Sequence, residues 1–181
     1  MSEERSFGAV DGLLASACGL ILLGLWLAAQ HGFDPAWSAA HACNARSLPG
    51  GLVPCFTTAP WLHLSPTHGL LNLLALAVLW RHLRRGSATG AAVAGLVGSG
   101  AGMVAASLLF GAPVAGASAL VHGLLGRSFV QVAAPLAAFD LLAVSGLLAL
   151  GATAPTWTGH LVATLVGAGA SMLLARGSSP R

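Results

Sequence analysis

Long apolar runs separated by short polar stretches dominate the pattern of this 181-residue chain. A helix needs about 20 apolar residues to cross the ~30 Å hydrocarbon core of a membrane. The first such run is Ala9 to Ala29. The second opens at Ser65-Pro66, a good capping residue followed by proline at the first helical position, and continues to about His82. A third covers Ala88 to Phe110, and a fourth opens at Ser118 and must stop before Pro135. The fifth covers Leu136 to Ala152, and the sixth follows Pro155-Thr156 and ends near Ala175. The pattern predicts an all-α polytopic membrane bundle, one domain over residues 1–181, with spans at about 9–29, 65–82, 88–110, 118–133, 136–152 and 156–175. Glycines within the runs, as at Gly95 to Gly102, read as close helix packing, because small residues let backbones approach in lipid.

The fourth span is short. About 14 helical residues rise only ~21 Å, less than the core thickness. A helix that reaches the inner face would begin below the outer surface, and the preceding Gly111 to Gly116 segment would have to dip inward to meet it. Non-helical backbone at that depth is tolerated only where it lines protein or a water-filled cavity. Length alone therefore predicts a submerged, wet cavity with Ser118 at its floor.

Composition agrees with this class. The chain is 56% hydrophobic and 7% charged, whereas soluble domains carry about 25% charged residues. The net charge of +3 is carried by arginine alone and is too small and scattered for a nucleic-acid footprint. Arg81, Arg84 and Arg85 follow the second span, Arg176 and Arg181 follow the sixth, and Arg46 alone lies after the first. The positive-inside rule then puts both termini in the cytoplasm and the 31–60 loop outside. The first run has no strong basic flank and no small-residue cleavage site, so it reads as a retained helix. Cys18 sits in an apolar run, whereas Cys43 and Cys55 share the outer loop. An oxidising compartment would let that pair form a disulfide, and two free thiols are the equal alternative. No zinc-type Cys/His spacing occurs, so neither metal nor cofactor is expected.

Polar residues inside spans are expensive and mark sites by default. Here they are Asp11, His68, Asn72, Ser118, His122, Arg127, Asp140 and His160. A zinc protease needs an HExxH-like motif, but the only glutamates are Glu3 and Glu4. An aspartyl protease needs two facing aspartates, and no GxGD-like motif surrounds Asp140. A serine–lysine dyad is impossible without lysine. A serine–histidine pair is available. His68 and Asn72 share one face of the second span; Ser118, His122 and Gly126 share one face of the fourth. His160 heads a stripe with Ala163 and Gly167 that would let the sixth span press on the fourth and bring His160 to Ser118. Arg127 and Asp140 read as a structural ion pair near the inner face. Trp26, Trp61, Trp80 and Trp157 read as interfacial anchors.

These segments, His63-Leu-Ser-Pro-Thr-His68-Gly-Leu-Leu-Asn72, Gly116-Ala-Ser118 and His160 with its small-residue stripe, resemble the rhomboid intramembrane serine proteases. The resemblance covers about residues 60 to 175. It implies a six-helix rhomboid-like bundle with a Ser118–His160 dyad, and an oxyanion and substrate-binding site from His68, Asn72 and the Gly116–Ser118 backbone. His63 takes a supporting role. His122 occupies the place of a tyrosine that often stacks on the catalytic histidine, and a histidine there resembles the rhombosortase branch of bacterial rhomboids. The resemblance therefore implies a multi-pass protein of the bacterial inner membrane whose partners are the lipid bilayer and transmembrane substrates, among them C-terminal anchors of exported proteins. Ala119 and Ala163 replace family glycines, which predicts a slightly wider helix separation. The Trp-Arg pair often found in the first external loop is absent, although Trp37 and Arg46 are nearby. The rival readings are a catalytically inactive rhomboid-like binding or escort factor, and a haem- or quinone-linked protein using paired histidines.

Overall fold

The computed structural model describes residues 2–46, 50–63, 65–83, 87–131, 146 and 153–177. Among them, regular structure is helical apart from an isolated antiparallel bridge between Cys43 and Val114. The order is α1 (Ser2–Gln30), α2 (Pro35–His41), a 3-10 turn (Gly50–Leu52), α3 (Val53–Phe56), α4 (Pro66–Leu83), α5 (Ala88–Phe110), α6 (Ser118–Gln131) and α7 (Ala154–Gly177). Three stretches are long and apolar enough to cross a membrane: Gly8–Gln30 in α1, Ala88–Phe110, which is α5, and Ala154–Ala175 in α7. Helix α4 has 18 residues and α6 only 14. Apart from the helical Gly146, the expected fifth span lies outside the described residues, as do Asp140, Arg84 and Arg85.

Local chemistry sets the helix ends. Asp34 caps α2 by accepting from the amides of Ala36 and Trp37 at 3.0 and 3.2 Å, with Pro35 as first helical residue. Ser87 caps α5 by accepting from the Gly90 amide at 3.0 Å. Helix α5 stops at Gly111, whose φ of +69° suits glycine. Arg46 donates to the Leu108 carbonyl from Nε at 3.2 Å and from a terminal nitrogen at 2.8 Å, a cation at the negative end of that helix.

Helices α5, α6 and α7 meet backbone to backbone. A methyl group added at Gly123 would stand 2.6 Å from the Ala94 carbonyl oxygen. One at Gly126 would collide with the Thr164 carbonyl, and one at Gly167 with that of Gly123. Helix association in lipid relies on this close packing, because apolar burial gives little between helices there. The pairs Gly90–Arg127 and Gly98–Gly123 set α5 antiparallel to α6, and Gly102–Gly159 and Gly98–Gly167 set it antiparallel to α7, so α6 and α7 are parallel. The start of α6, the start of α7 and the end of α5 therefore share one end of the bundle. Along α1 and α4, Val10, Leu14 and Ile21 join Leu76, Leu79 and Leu83 in one buried cluster. The Trp80 indole N–H donates to Asp11 at 2.9 Å, tying the same two helices. Trp80, expected as an interfacial anchor, is also the partner of a carboxylate on the first apolar helix.

Candidate active site

Ser118 is the first residue of α6 and is nearly buried. The first N–H groups of a helix have no intrahelical acceptor and lie at the positive end of its dipole. The segment feeding into Ser118 is held by the connection between α1 and α4. The Cys43 amide donates to the Val114 carbonyl at 2.8 Å, the Val114 amide returns a bond to Cys43 at 2.9 Å, and the Gly116 amide donates to Ala59 at 2.8 Å. Gly116 has φ +126°, and a methyl group there would stand 2.8 Å from His68 Cε1. Glycine at this position both permits the backbone turn and leaves room for the His68 ring.

His160 lies in the second turn of α7 and is only 4% exposed. Its ring stacks on that of His122, with centroids 3.8 Å apart and planes 11° from parallel. His122 Nδ1–H donates to the Ser118 carbonyl at 2.7 Å, which fixes its tautomer and ring orientation. Both ring nitrogens of His160 are buried and have no hydrogen-bond partner among the described residues. The Ser118 hydroxyl is therefore not bonded to the imidazole in this arrangement, although the sequence reading expects the two within reach. Catalytic hydrogen bonds are often long in empty sites and tighten with substrate. A cavity of about 360 Å³ lies beside the pair, lined by His122, His160, Thr158 and Thr164 together with Leu125, Phe129, Trp157 and Leu161.

The α4 side differs. Asn72 is wholly buried. Its amide group donates to the His68 carbonyl at 2.9 Å and to His63 Nε2 at 3.2 Å. His63 Nδ1–H donates in turn to the Trp61 carbonyl at 2.9 Å, so Nε2 is the acceptor face of a neutral ring. Burial first, and the neighbouring His68 second, lower the His63 pKa to about 4. Both Asn72 donors are thus occupied, and its Oδ1 is buried without a partner among the described residues. An Asn72 amide could serve an oxyanion only by giving up one of these bonds. The His63 and His68 rings meet edge to face at 5.3 Å.

Cys43 and Cys55 are joined as a disulfide. They form an apolar cluster with Ala59, Met103, Ala119 and Ala163. Ala163 packs in that cluster with Ala119, the second residue of α6. It lies against α5, where methyl groups at Gly98 and Gly102 would strike its carbonyl oxygen and its side chain. Close backbone contacts between α6 and α7 pass through Gly123, Gly126, Thr164 and Gly167. Arg127 is buried and donates to the Ser87 carbonyl at 3.3 Å. Its expected partner Asp140 lies outside the described residues. Among the described residues no group of three or more His, Cys, Asp or Glu side chains could hold a metal ion.

No family model, curated protein or solved structure matches this chain. The likeness to rhomboids rests on the quoted segments. The brace around Gly116 escaped the sequence reading because its bonds are made by backbone atoms far apart in the chain. Asn72's commitment had a visible signal in His63, nine residues before it.

Proposed function

We propose that this chain is a rhomboid-type intramembrane serine protease, with Ser118 as nucleophile and His160 as general base. The observation that carries the reading is the His160 imidazole: buried, stacked on a ring bonded to Ser118, and with no hydrogen-bond partner on either nitrogen among the described residues. Leaving a buried polar group unsatisfied costs about 1–3 kcal/mol, so it needs a reason. A base that waits for the proton of a nearby hydroxyl supplies one.

In this reading the Ser118 oxygen attacks a peptide carbonyl as His160 takes its proton. The oxyanion meets the Ser118 N–H at the start of α6, His68, and Asn72 once one of its amide bonds is released. His160 then protonates the leaving amine, and water hydrolyses the acyl-enzyme. The chain adopts six spans in the bacterial inner membrane with both termini cytoplasmic. Its substrates are transmembrane anchors cut near the outer face, C-terminal anchors of exported proteins first among them, because His122 stands in the stacking position. The unbonded Ser118 hydroxyl favours one rival, an inactive binding or escort factor. A fluorophosphonate probe separates the two. Labelling of the wild type that is lost in Ser118→Ala supports the protease; an unlabelled wild type that still retains an anchored client supports the rival.

A further inference from the structure

The outer loop touches the Ser118 segment at three backbone hydrogen bonds, and the Cys43–Cys55 disulfide stands directly behind them. Cys43 supplies both bonds of the bridge to Val114. Cys55 belongs to α3, and Ala59, which accepts from Gly116, follows it by four residues. The disulfide therefore joins the two parts of the loop that grip the chain two and four residues before Ser118. Both cysteines are fully buried, in the same cluster as Ala119, the residue after Ser118, and Ala163, on the α7 turn after His160.

Resting on the protease reading, we infer that the Cys43–Cys55 disulfide is a positioning device for Ser118, and that forming it completes the site. Without the bond, the Cys43 and Ala59 ends of the loop are free to separate, and the bridge to Val114 and the bond from Gly116 loosen together. The Gly116–Ser118 backbone, which must present its N–H to an oxyanion, then samples many geometries. Small misplacements of such groups slow a reaction steeply. Oxidation removes one proton and one electron from each thiol. The electrons pass by thiol–disulfide exchange to a disulfide-bearing oxidant of the outer compartment, which leaves as its dithiol. The protease would thus be assembled only after its loop has reached that compartment.

A disulfide with a merely stabilising role acts mainly on the unfolded chain and leaves folded-state rates alone. The test compares oxidised wild type with the Cys43→Ala, Cys55→Ala double variant in detergent, below the melting temperature of both. Should the double variant fail to accumulate, reduced wild type made in cells lacking thiol-oxidising enzymes replaces it. Two quantities are read: amide hydrogen exchange over residues 111–117, and the fluorophosphonate labelling rate at saturating probe. The expected result is at least ten-fold faster exchange over 111–117, unchanged exchange in α1 and α4, and at least ten-fold slower labelling. Unchanged exchange over 111–117 overturns the inference. So does faster exchange with an unchanged labelling rate. Faster exchange in a protein whose oxidised form never labels overturns the protease reading, and with it the catalytic role of the bond, while the mechanical coupling stands.

Discussion

Two histidine groups flank Ser118, and they are built on opposite plans. On the α4 side, Asn72 donates to His63 and to the His68 backbone, and His63 passes the chain on to Trp61. On the α7 side, His122 donates to Ser118 and covers one face of His160, while the ring nitrogens of His160 have no partner among the described residues. Burial does not separate them: His63 is 1% exposed and His160 4%. Satisfaction does. A closed network holds a loop against a helix and gains from staying closed. An imidazole left open at the same depth loses stability, which is tolerable where it takes part in a reaction. The same residue type is thus closed into a network on one side and, in the proposed protease, left open for chemistry on the other.

The largest expected effect comes from the open side. His160→Ala should reduce probe labelling and anchor cleavage by about a thousand-fold or more. It removes no hydrogen bond among the described residues and lifts the cost of two unmet buried nitrogens, which offsets part of the stacking and packing lost with the ring. Thermal denaturation in detergent, run beside the activity assay, checks both parts. A variant that unfolds readily and loses activity only in proportion would put His160 on the structural side and erase the contrast.

Asn72→Ala probes the closed side. It leaves His63 Nε2 without its donor, and an unmet buried group costs about 1–3 kcal/mol. The variant should melt at a clearly lower temperature than His160→Ala. It should also slow turnover, by up to about a hundred-fold or more if the amide swings toward the oxyanion in the transition state. Slower turnover with an unchanged melting point would show that the network is not closed in the membrane and that Asn72 is free for catalysis.

Much of this contrast was legible in the chain, and the unread parts share a cause. Apolar runs located α1, α4, α5, α6 and α7 to within a few residues, except that α1 begins at Ser2 rather than Ala9. The i, i+4 spacing of His68 and Asn72 and of Ser118 and His122 put the polar groups on the right faces, because helical periodicity is a property of sequence. Gly126 and Gly167 were read correctly as contact residues. Ala163 touches α5 as well, since a stripe at i+3 and i+7 has enough width to serve two neighbours. The Asp34-Pro35 cap of α2 was present to be read. The bonds from Cys43 to Val114 and from Gly116 to Ala59 were not, because backbone pairing across the fold leaves no residue-specific mark.

His122 lies between the two plans, being bonded at one nitrogen and stacked on the open ring. His122→Phe keeps the stack and gives up only the bond to the Ser118 carbonyl, so labelling should fall by less than about five-fold. His122→Ala loses the stack as well, worth about 0.5–1.5 kcal/mol, and should fall by about ten-fold. Equal losses in the two variants would make the hydrogen bond, not the ring, the feature that matters, and would move His122 to the architectural side.

The smallest effect sharpens the comparison through pH. His63, outside the spanning helices, has a folded pKa of about 4 against an ordinary value of 6.5, because burial and then His68 disfavour its charged form. Between those values the unfolded chain binds a proton that the folded chain excludes. The contribution is therefore complete above about pH 6.5, declines as pH falls through the window, and is spent near pH 4. Between pH 7 and pH 6 the loss should stay below ~1 kcal/mol. His63→Phe removes this term, at the cost of the Asn72 and Trp61 bonds. Its melting temperature should be lower than that of the wild type at pH 7 and should change less between pH 7 and pH 6. A variant as pH-sensitive as the wild type would mean that His63 titrates normally, and that the α4 network opens as readily as the site it supports.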